Sequence, residues 1–157
     1  RSHLWVPESR FVKVEFHKLI EVVGANLPDA LFKLTGADLE NLVMELFDRA
    51  GYQVARIGRS TFEPDGGVDI IAYTQNSIAG DLRLAIQCKA TKNRIQSNVI
   101  REFNTSLQNL KSHKGVFVTT SDFTSGVINE VQEIGYPIEL MDYVKLTNQI
   151  RGAIIKS

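Results

Sequence analysis

"LAIQCKAT" (Leu84–Thr91) decides how this chain is read. It opens as an apolar strand and closes with Gln87 and Lys89, one residue apart. Side chains alternate along a strand. Leu82, Leu84, Ile86 and Cys88 therefore share one face, and Arg83, Ala85, Gln87 and Lys89 the other. Gln87 and Lys89 project the same way, about 6–7 Å apart along the strand. A strand running out into solvent carries Gln and Lys routinely, so the pair takes its meaning from its neighbours.

The first neighbour is "DGGVDIIAY" (65–73), whose alternation puts Val68, Ile70 and Ala72 on one face and Asp69, Ile71 and Tyr73 on the other. Asp69 is an ionisable group inside an apolar strand, and a buried carboxylate is costly unless it is paired or bound to a metal. The turn signals of "TQNSIAGD" (74–81) predict a hairpin between Gly67–Tyr73 and Leu82–Lys89. That hairpin would set Asp69 beside Gln87 and Lys89 on one sheet face. An Asp69–Lys89 ion pair that merely ends the sheet is the plain alternative.

The second neighbour is a helix over Ala37–Ala50, with Leu39, Leu42, Val43, Leu46 and Phe47 as its apolar stripe. Thr35 and Asp38 read as its capping box, and Gly51 as its stop. At about 100° per residue, Glu40 falls on the flank of the stripe, whereas Glu45 and Asp48 fall on the solvent side. Glu40 is thus the acid expected to point along the sheet. A boundary glutamate turned outward is the alternative.

Around these pieces the chain reads as helix, three strands, helix, strand, helix, strand, helix. Pro7–Gly24 has helical spacing, and "GANLPDA" (24–30) breaks it. Tyr52–Ile57 is a strand and Val99–Leu110 a helix. "GVFVTT" (115–120) is a continuous apolar strand of the buried kind. Ser125–Ile134 is a helix, "PIELM" (137–141) a strand and Tyr143–Ile155 a closing helix. Strand–helix–strand order in the second half implies parallel crossovers, and the hairpin implies an antiparallel part. The expected fold class is α/β, a mixed β-sheet flanked by helices on both faces.

The 157 residues, 43% hydrophobic, suit one compact domain. Net charge is zero, yet it is segregated. From Arg83 to Lys114 there are seven Lys and Arg against Glu102 alone, or plus six; from Gly115 to Asp142 there are five acids and no Lys or Arg, or minus five. Two oppositely charged solvated faces would give this pattern, as would a phosphate-binding stretch. A single cysteine, Cys88, excludes an internal disulfide and a zinc cluster, and suits a reducing cytoplasm. No apolar run approaches membrane-spanning length. The opening Arg1-Ser2-His3 is read as a cloning scar or as the cut edge of a longer protein.

Weaker signals fall away. Gly66-Gly67 reads as a tight turn or as room for a phosphate, because no strand–GxGxxG–helix arrangement exists. His17 and His113 have no spaced partners. Thr119, Thr120 and Ser121, at a strand exit, read as a helix N-cap or as donors to a nucleic-acid backbone.

An Asp, a strand-borne Gln-x-Lys and a helix-borne Glu together resemble the PD-(D/E)xK nucleases, and within them the Mrr-like restriction endonuclease domain. The matching stretches are "LENLVMELFDRAGYQV" (39–54), "DGGVDIIA" (65–72), "IQCKA" (86–90) and "KGVFVTTSDFTSGVINEV" (114–131). The resemblance implies a restriction-endonuclease-like fold over 35–157, with 1–34 as an N-terminal helical extension outside it. By resemblance Asp69 is the metal-binding aspartate, Gln87 stands for the second acid, Lys89 is the motif lysine and Glu40 the first-helix glutamate. Two departures are the glutamine at 87, which Mrr-like members share, and Val68 where a proline usually precedes the aspartate. Pro64-Asp65 lies in a loop and is not taken as the motif.

The resemblance implies a Mg2+-dependent endonuclease acting on double-stranded DNA, with Mn2+ able to substitute, in defence against foreign or modified DNA. Asp69, Gln87, Glu40 and the Cys88 backbone carbonyl would hold the metal. Lys92, Arg94, Arg101, Thr120 and Ser121 are the expected contacts to nucleic acid. The rivals are a catalytically silent DNA-binding or assembly module and a structure-selective repair nuclease of the junction-resolvase type. The N-terminal helix is expected to serve a second copy, a partner or a further domain.

Overall fold

The computed structural model describes residues 29–57, 67–74, 78 and 80–155. The helix expected over Pro7–Gly24 and the Pro64-Asp65 pair lie outside the described residues. The elements are α1 (Asp29–Phe32), α2 (Gly36–Arg49), β1 (Gln53–Arg56), β2 (Ile70–Thr74), β3 (Leu82–Lys89), α3 (Ser97–Asn109), β4 (Lys114–Thr119), α4 (Ser125–Ile134), β5 (Ile138–Met141) and α5 (Tyr143–Ile155).

One five-stranded sheet runs in the order β1-β2-β3-β4-β5. The β1–β2 and β2–β3 pairs are antiparallel, and β3–β4 and β4–β5 are parallel. This is the expected mixed sheet. Its antiparallel half comes from the hairpin and its parallel half from the crossovers through α3 and α4.

Alternation splits the core in two. Ile70, Ala72, Leu84, Ile86, Cys88, Val116 and Val118 meet Leu39, Leu42, Val43 and Met44 of α2 and Leu146 and Ile150 of α5 on one face. Ile71, Ala85 and Phe117 meet Ile100, Phe103 and Leu107 of α3 and Val127 of α4 on the other. Phe117 stacks edge-on against both Phe103 and Phe123, at 5.5 and 5.8 Å between ring centroids. Each such fully buried side chain contributes about 1.5–3 kcal/mol. β3 lies at the centre of the sheet, so its end is held from both faces.

The local signals for α2 are realised. Asp38 N–H donates to Thr35 Oγ1, and Thr35 N–H donates to Asp38 Oδ2, both at 3.1 Å. Gly51, just past the helix, takes φ +98. Three readings need correction. Glu45, expected in solvent, is only 6% exposed and bonds Arg49 at 2.8 Å. α2 packs on α5 as well as on the sheet, so its buried arc is wider than the apolar stripe. Val68 packs with Ile71 rather than with Ile70, because regular alternation starts only at Ile70. The cap of α4 is Thr124, whose Oγ1 accepts Val127 N–H at 3.2 Å, and not the Thr119–Ser121 run.

Candidate active site

β3 outruns β2. The β2–β3 ladder begins at Ile70↔Ile86, whereas β3 continues beside β4 to Lys89↔Thr119. Gln87, Cys88 and Lys89 thus have a strand neighbour on one side and the segment Gly67–Asp69 on the other. Asp69 N–H donates to Ile86 O at 2.9 Å, and Ile57 N–H donates to Asp69 O at 2.9 Å. These bonds pin the Asp69 backbone between β1 and β3.

The Asp69 side chain finishes what the ladder leaves undone. Its Oδ2 accepts the Cys88 N–H at 2.9 Å, and the residue is 2% exposed. A backbone donor to a carboxylate is a charge-assisted bond, which stabilises the buried anion. The regular register stops at Ile70↔Ile86, and Asp69 N–H bonds that same Ile86, so Asp69 is held against Ile86 and Cys88 rather than as the next rung of the ladder. Gln87 is 8% exposed, and its Oε1 has no hydrogen-bond partner among the described residues. Buried polar atoms are overwhelmingly satisfied, so this one calls for an explanation.

Lys89 is the last residue of β3, and its side chain is exposed. Among the described residues it forms no ion pair, so an Asp69–Lys89 bridge does not end the sheet. Its carbonyl accepts Thr119 Oγ1 at 2.9 Å and Thr120 N–H at 3.3 Å, which locks the strand end in place.

Glu40 reaches the same end of the sheet from the α2 layer. Its Oε1 accepts Arg56 Nη1 at 3.1 Å, and its side chain is 13% exposed. Arg56 Nη2 also donates to Asn41 Oδ1 at 2.6 Å. Arg56 pairs in the ladder with Ile70, the residue after Asp69. Glu40 is therefore fixed beside the start of β2, on the α2 side, whereas Gln87 shares its face with Ala85, on the α3 side. Arg56 is absent from the sequence reading. Its signal was its place two residues after buried Val54, on the same strand face, where a cation needs an acid opposite.

The basic stretch is only partly available. Arg94 Nε meets Asp122 Oδ1 at 3.1 Å, Lys114 Nζ meets Glu139 Oε1 at 3.8 Å, and Arg101 forms a two-pronged bridge to Glu130 at 2.8 and 2.9 Å. Tyr136 Oη donates to the same Glu130 at 2.9 Å. The Arg101 hydrogen bond first, then that of Tyr136, holds the Glu130 carboxyl below its ordinary value. The crossovers have laid the basic block against the acidic block, so much of the segregated charge is paired within the fold. Lys92 remains exposed and, among the described residues, without an ion pair.

Thr120 and Ser121 are buried, and their hydroxyls serve the backbone. Thr120 Oγ1 accepts Thr91 N–H and donates to Thr91 O, each at 3.1 Å. Ser121 Oγ donates to Lys92 O at 3.3 Å. They clamp the turn that carries Lys92.

Among the described residues no group of three His, Cys, Asp or Glu side chains could hold a metal. No described helix is long and apolar enough to cross a membrane.

Comparison with known proteins bears on the family and the fold. EcoKMrr of Escherichia coli (strain K12), a Type IV methyl-directed restriction enzyme, is 25% identical over 122 residues, covering 74% of this chain and 38% of that enzyme. Two solved structures share the fold. The DNA modification-dependent restriction endonuclease AspBHI superposes with a TM-score of 0.56 at 20% identity, over 98% of this chain and 40% of AspBHI. MspJI restriction endonuclease in complex with a 27-mer oligonucleotide does so with a TM-score of 0.51 at 18% identity, over 95% of this chain and 33% of MspJI. The chain spans well under half the length of each of these relatives. A family model described as restriction endonuclease, the Mrr catalytic domain, matches residues 31–150, and the chain belongs to that family.

Proposed function

We propose that this domain is a metal-dependent endonuclease that hydrolyses DNA phosphodiester bonds, in the restriction of foreign or modified DNA. One observation carries the reading: the buried Asp69 carboxylate is tied to Cys88 N–H, between Gln87, whose buried Oε1 has no hydrogen-bond partner among the described residues, and Lys89, which forms no ion pair among them.

The residues fit a hard divalent cation. An unsatisfied buried acceptor costs about 1–3 kcal/mol, which a cation would offset. Asp69 offers a carboxylate oxygen and Gln87 an amide oxygen, both suited to Mg2+ or Mn2+. In an extended strand the N–H and C=O of one residue face the same neighbour. The Cys88 carbonyl is therefore turned to the gap where its N–H meets Asp69, and would be the third donor. Glu40, bonded to Arg56 on the α2 side, would join the set from that side, directly or through water. When bound, such an ion neutralises phosphate charge and acidifies water.

The chain's own residues do the rest. Asp69 and Gln87 fix the site at a rigid strand end. Lys89 orients the attacking water and stabilises the charge that builds on the phosphoryl oxygens. The water oxygen bonds to phosphorus, the bond from phosphorus to the leaving sugar oxygen breaks, and that oxygen takes up a proton. Lys92 holds the DNA backbone without reading its sequence. Modified duplex is the first substrate to test, since EcoKMrr is described as methyl-directed and AspBHI as modification-dependent.

The test compares unmodified duplex, methylated duplex and four-way junction, with Mg2+ and Mn2+. Cleavage of duplex by the parent is expected, and Lys89→Ala should lower it about a hundredfold or more while binding without metal stays the same. No cleavage of any substrate would make the domain a silent DNA-binding module. Cleavage of junctions alone would make it a repair nuclease. A Lys89→Ala variant as active as its parent would remove Lys89 from the mechanism.

A further inference from the structure

Gly67 stands against Gln87. A Cβ built on Gly67 would lie 2.3 Å from Gln87 Nε2, 2.9 Å from Cδ and 3.3 Å from Oε1. The first two separations are closer than any real side chain tolerates, so the Gln87 amide occupies the space that a side chain at 67 would take. The room that Gly66-Gly67 suggested in the sequence is filled, at Gly67, by a side chain of the site itself. The atoms met are the far end of the Gln87 side chain, so a side chain at 67 would turn the amide aside rather than move the strand. Nε2 is the amide atom nearest this seat, and Oε1 is left with no hydrogen-bond partner among the described residues.

We propose that Gly67 is a positioning residue: by lacking a side chain it seats the Gln87 amide and turns Oε1 toward the divalent cation. The inference rests on the proposed metal-dependent reading, because only there does the direction of Oε1 matter. Gly67 also has φ +82, so any substitution adds backbone strain besides the clash. Gly80 separates the two effects. It has φ +81, and a Cβ there would meet nothing within 4 Å. Gly80→Ala carries the strain without the clash.

The experiment uses the whole chain in four forms: parent, Gly67→Ala, Gly80→Ala and Gly67→Ala/Gln87→Ala. The first readout is the Gln87 side-chain amide in nuclear magnetic resonance, assigned by its loss in Gln87→Ala and recorded without metal. Its two NH2 signals should move in Gly67→Ala and stay in place in Gly80→Ala. The second is Mn2+ affinity by electron paramagnetic resonance, where Gly67→Ala should bind about tenfold or more weakly and Gly80→Ala like the parent. The third is melting temperature. Gly67→Ala/Gln87→Ala lacks the clash, so it should melt above Gly67→Ala. That comparison holds even if Gly67→Ala is too unstable for the other two readouts.

Unmoved Gln87 signals in Gly67→Ala, or a double variant no more stable than Gly67→Ala, would overturn the seat. A moved amide with unchanged Mn2+ affinity would overturn its role toward the ion. A parent that binds no Mn2+ would sink the metal-dependent reading instead, and the amide signals and melting temperatures would still report on the seat.

Discussion

Replacing Asp69 by Asn and by Ala separates its structural part from its chemical one. Asp69 Oδ2 accepts the Cys88 N–H at 2.9 Å in a site where Asp69 is 2% exposed. Asn keeps an acceptor of the same shape at that point. Ala removes it and leaves the N–H of buried Cys88 without that partner. An orphaned buried donor costs about 1–3 kcal/mol. At roughly 2–4 °C per kcal/mol for a chain of this size, Asp69→Ala should melt about 2–12 °C below Asp69→Asn. Mn2+ then tests the chemistry. A ligand at a hundred times its dissociation constant stabilises the fold by about 2.7 kcal/mol, so the parent should gain about 5–11 °C. Both variants should gain little, and both should lose cleavage. Calorimetry with chelator and with Mn2+ makes the comparison. If Ala and Asn melt together, the carboxylate does not hold the strand end. If Asn gains as much from Mn2+ as the parent, Asp69 is not a ligand.

Three further outcomes follow from pairing and packing. Lys92→Ala should flatten the dependence of log affinity for DNA on log salt by about 0.9, whereas Arg101→Ala should leave it unchanged because Arg101 is committed to Glu130; filter binding across salt concentrations decides. Glu130 has its carboxyl lowered by Arg101 and Tyr136, so its stabilisation is present above the unfolded glutamate value and lost as pH falls through the lower folded one. The difference in melting temperature between the parent and Glu130→Gln should therefore be full at neutral pH and shrink only in acid. Gly115→Ala would put a Cβ 2.8 Å from both Leu107 Cδ2 and Phe103 Cε2, and overpacking of this kind costs about 1–3 kcal/mol by urea titration.

The sequence was legible where structure follows from short periods and illegible where it depends on distant partners. Alternation was enough to place Gln87 with Ala85 and Cys88 with Ile86, and the turn signals were enough for the hairpin. Helical spacing set Ser125–Ile134 and Tyr143–Ile155 to the residue. The wheel failed at Glu45 because it registers one packing partner, and α2 has two, the sheet and α5. Charge segregation was visible in the sequence, but its pairing was not. Arg101 and Glu130 are 29 residues apart, and only the crossovers bring them together.

The same division runs through the site. Gln87 and Lys89 were readable because their geometry is local to one strand. Glu40 was placed on the flank of its helix correctly, yet its partner Arg56 lies 16 residues on, across an antiparallel pair that the sequence had not yet fixed. Asp69 shows why the strand boundary matters chemically. Had β2 begun at Gly67, as its composition suggested, a backbone carbonyl of β2 would have met the Cys88 N–H. Because the ladder stops at Ile70, that donor falls to the Asp69 carboxylate. The shortening of one strand is therefore what turns the buried Asp69 carboxylate onto the Cys88 N–H, between Gln87 and Lys89, and the candidate site lies where the regular sheet ends.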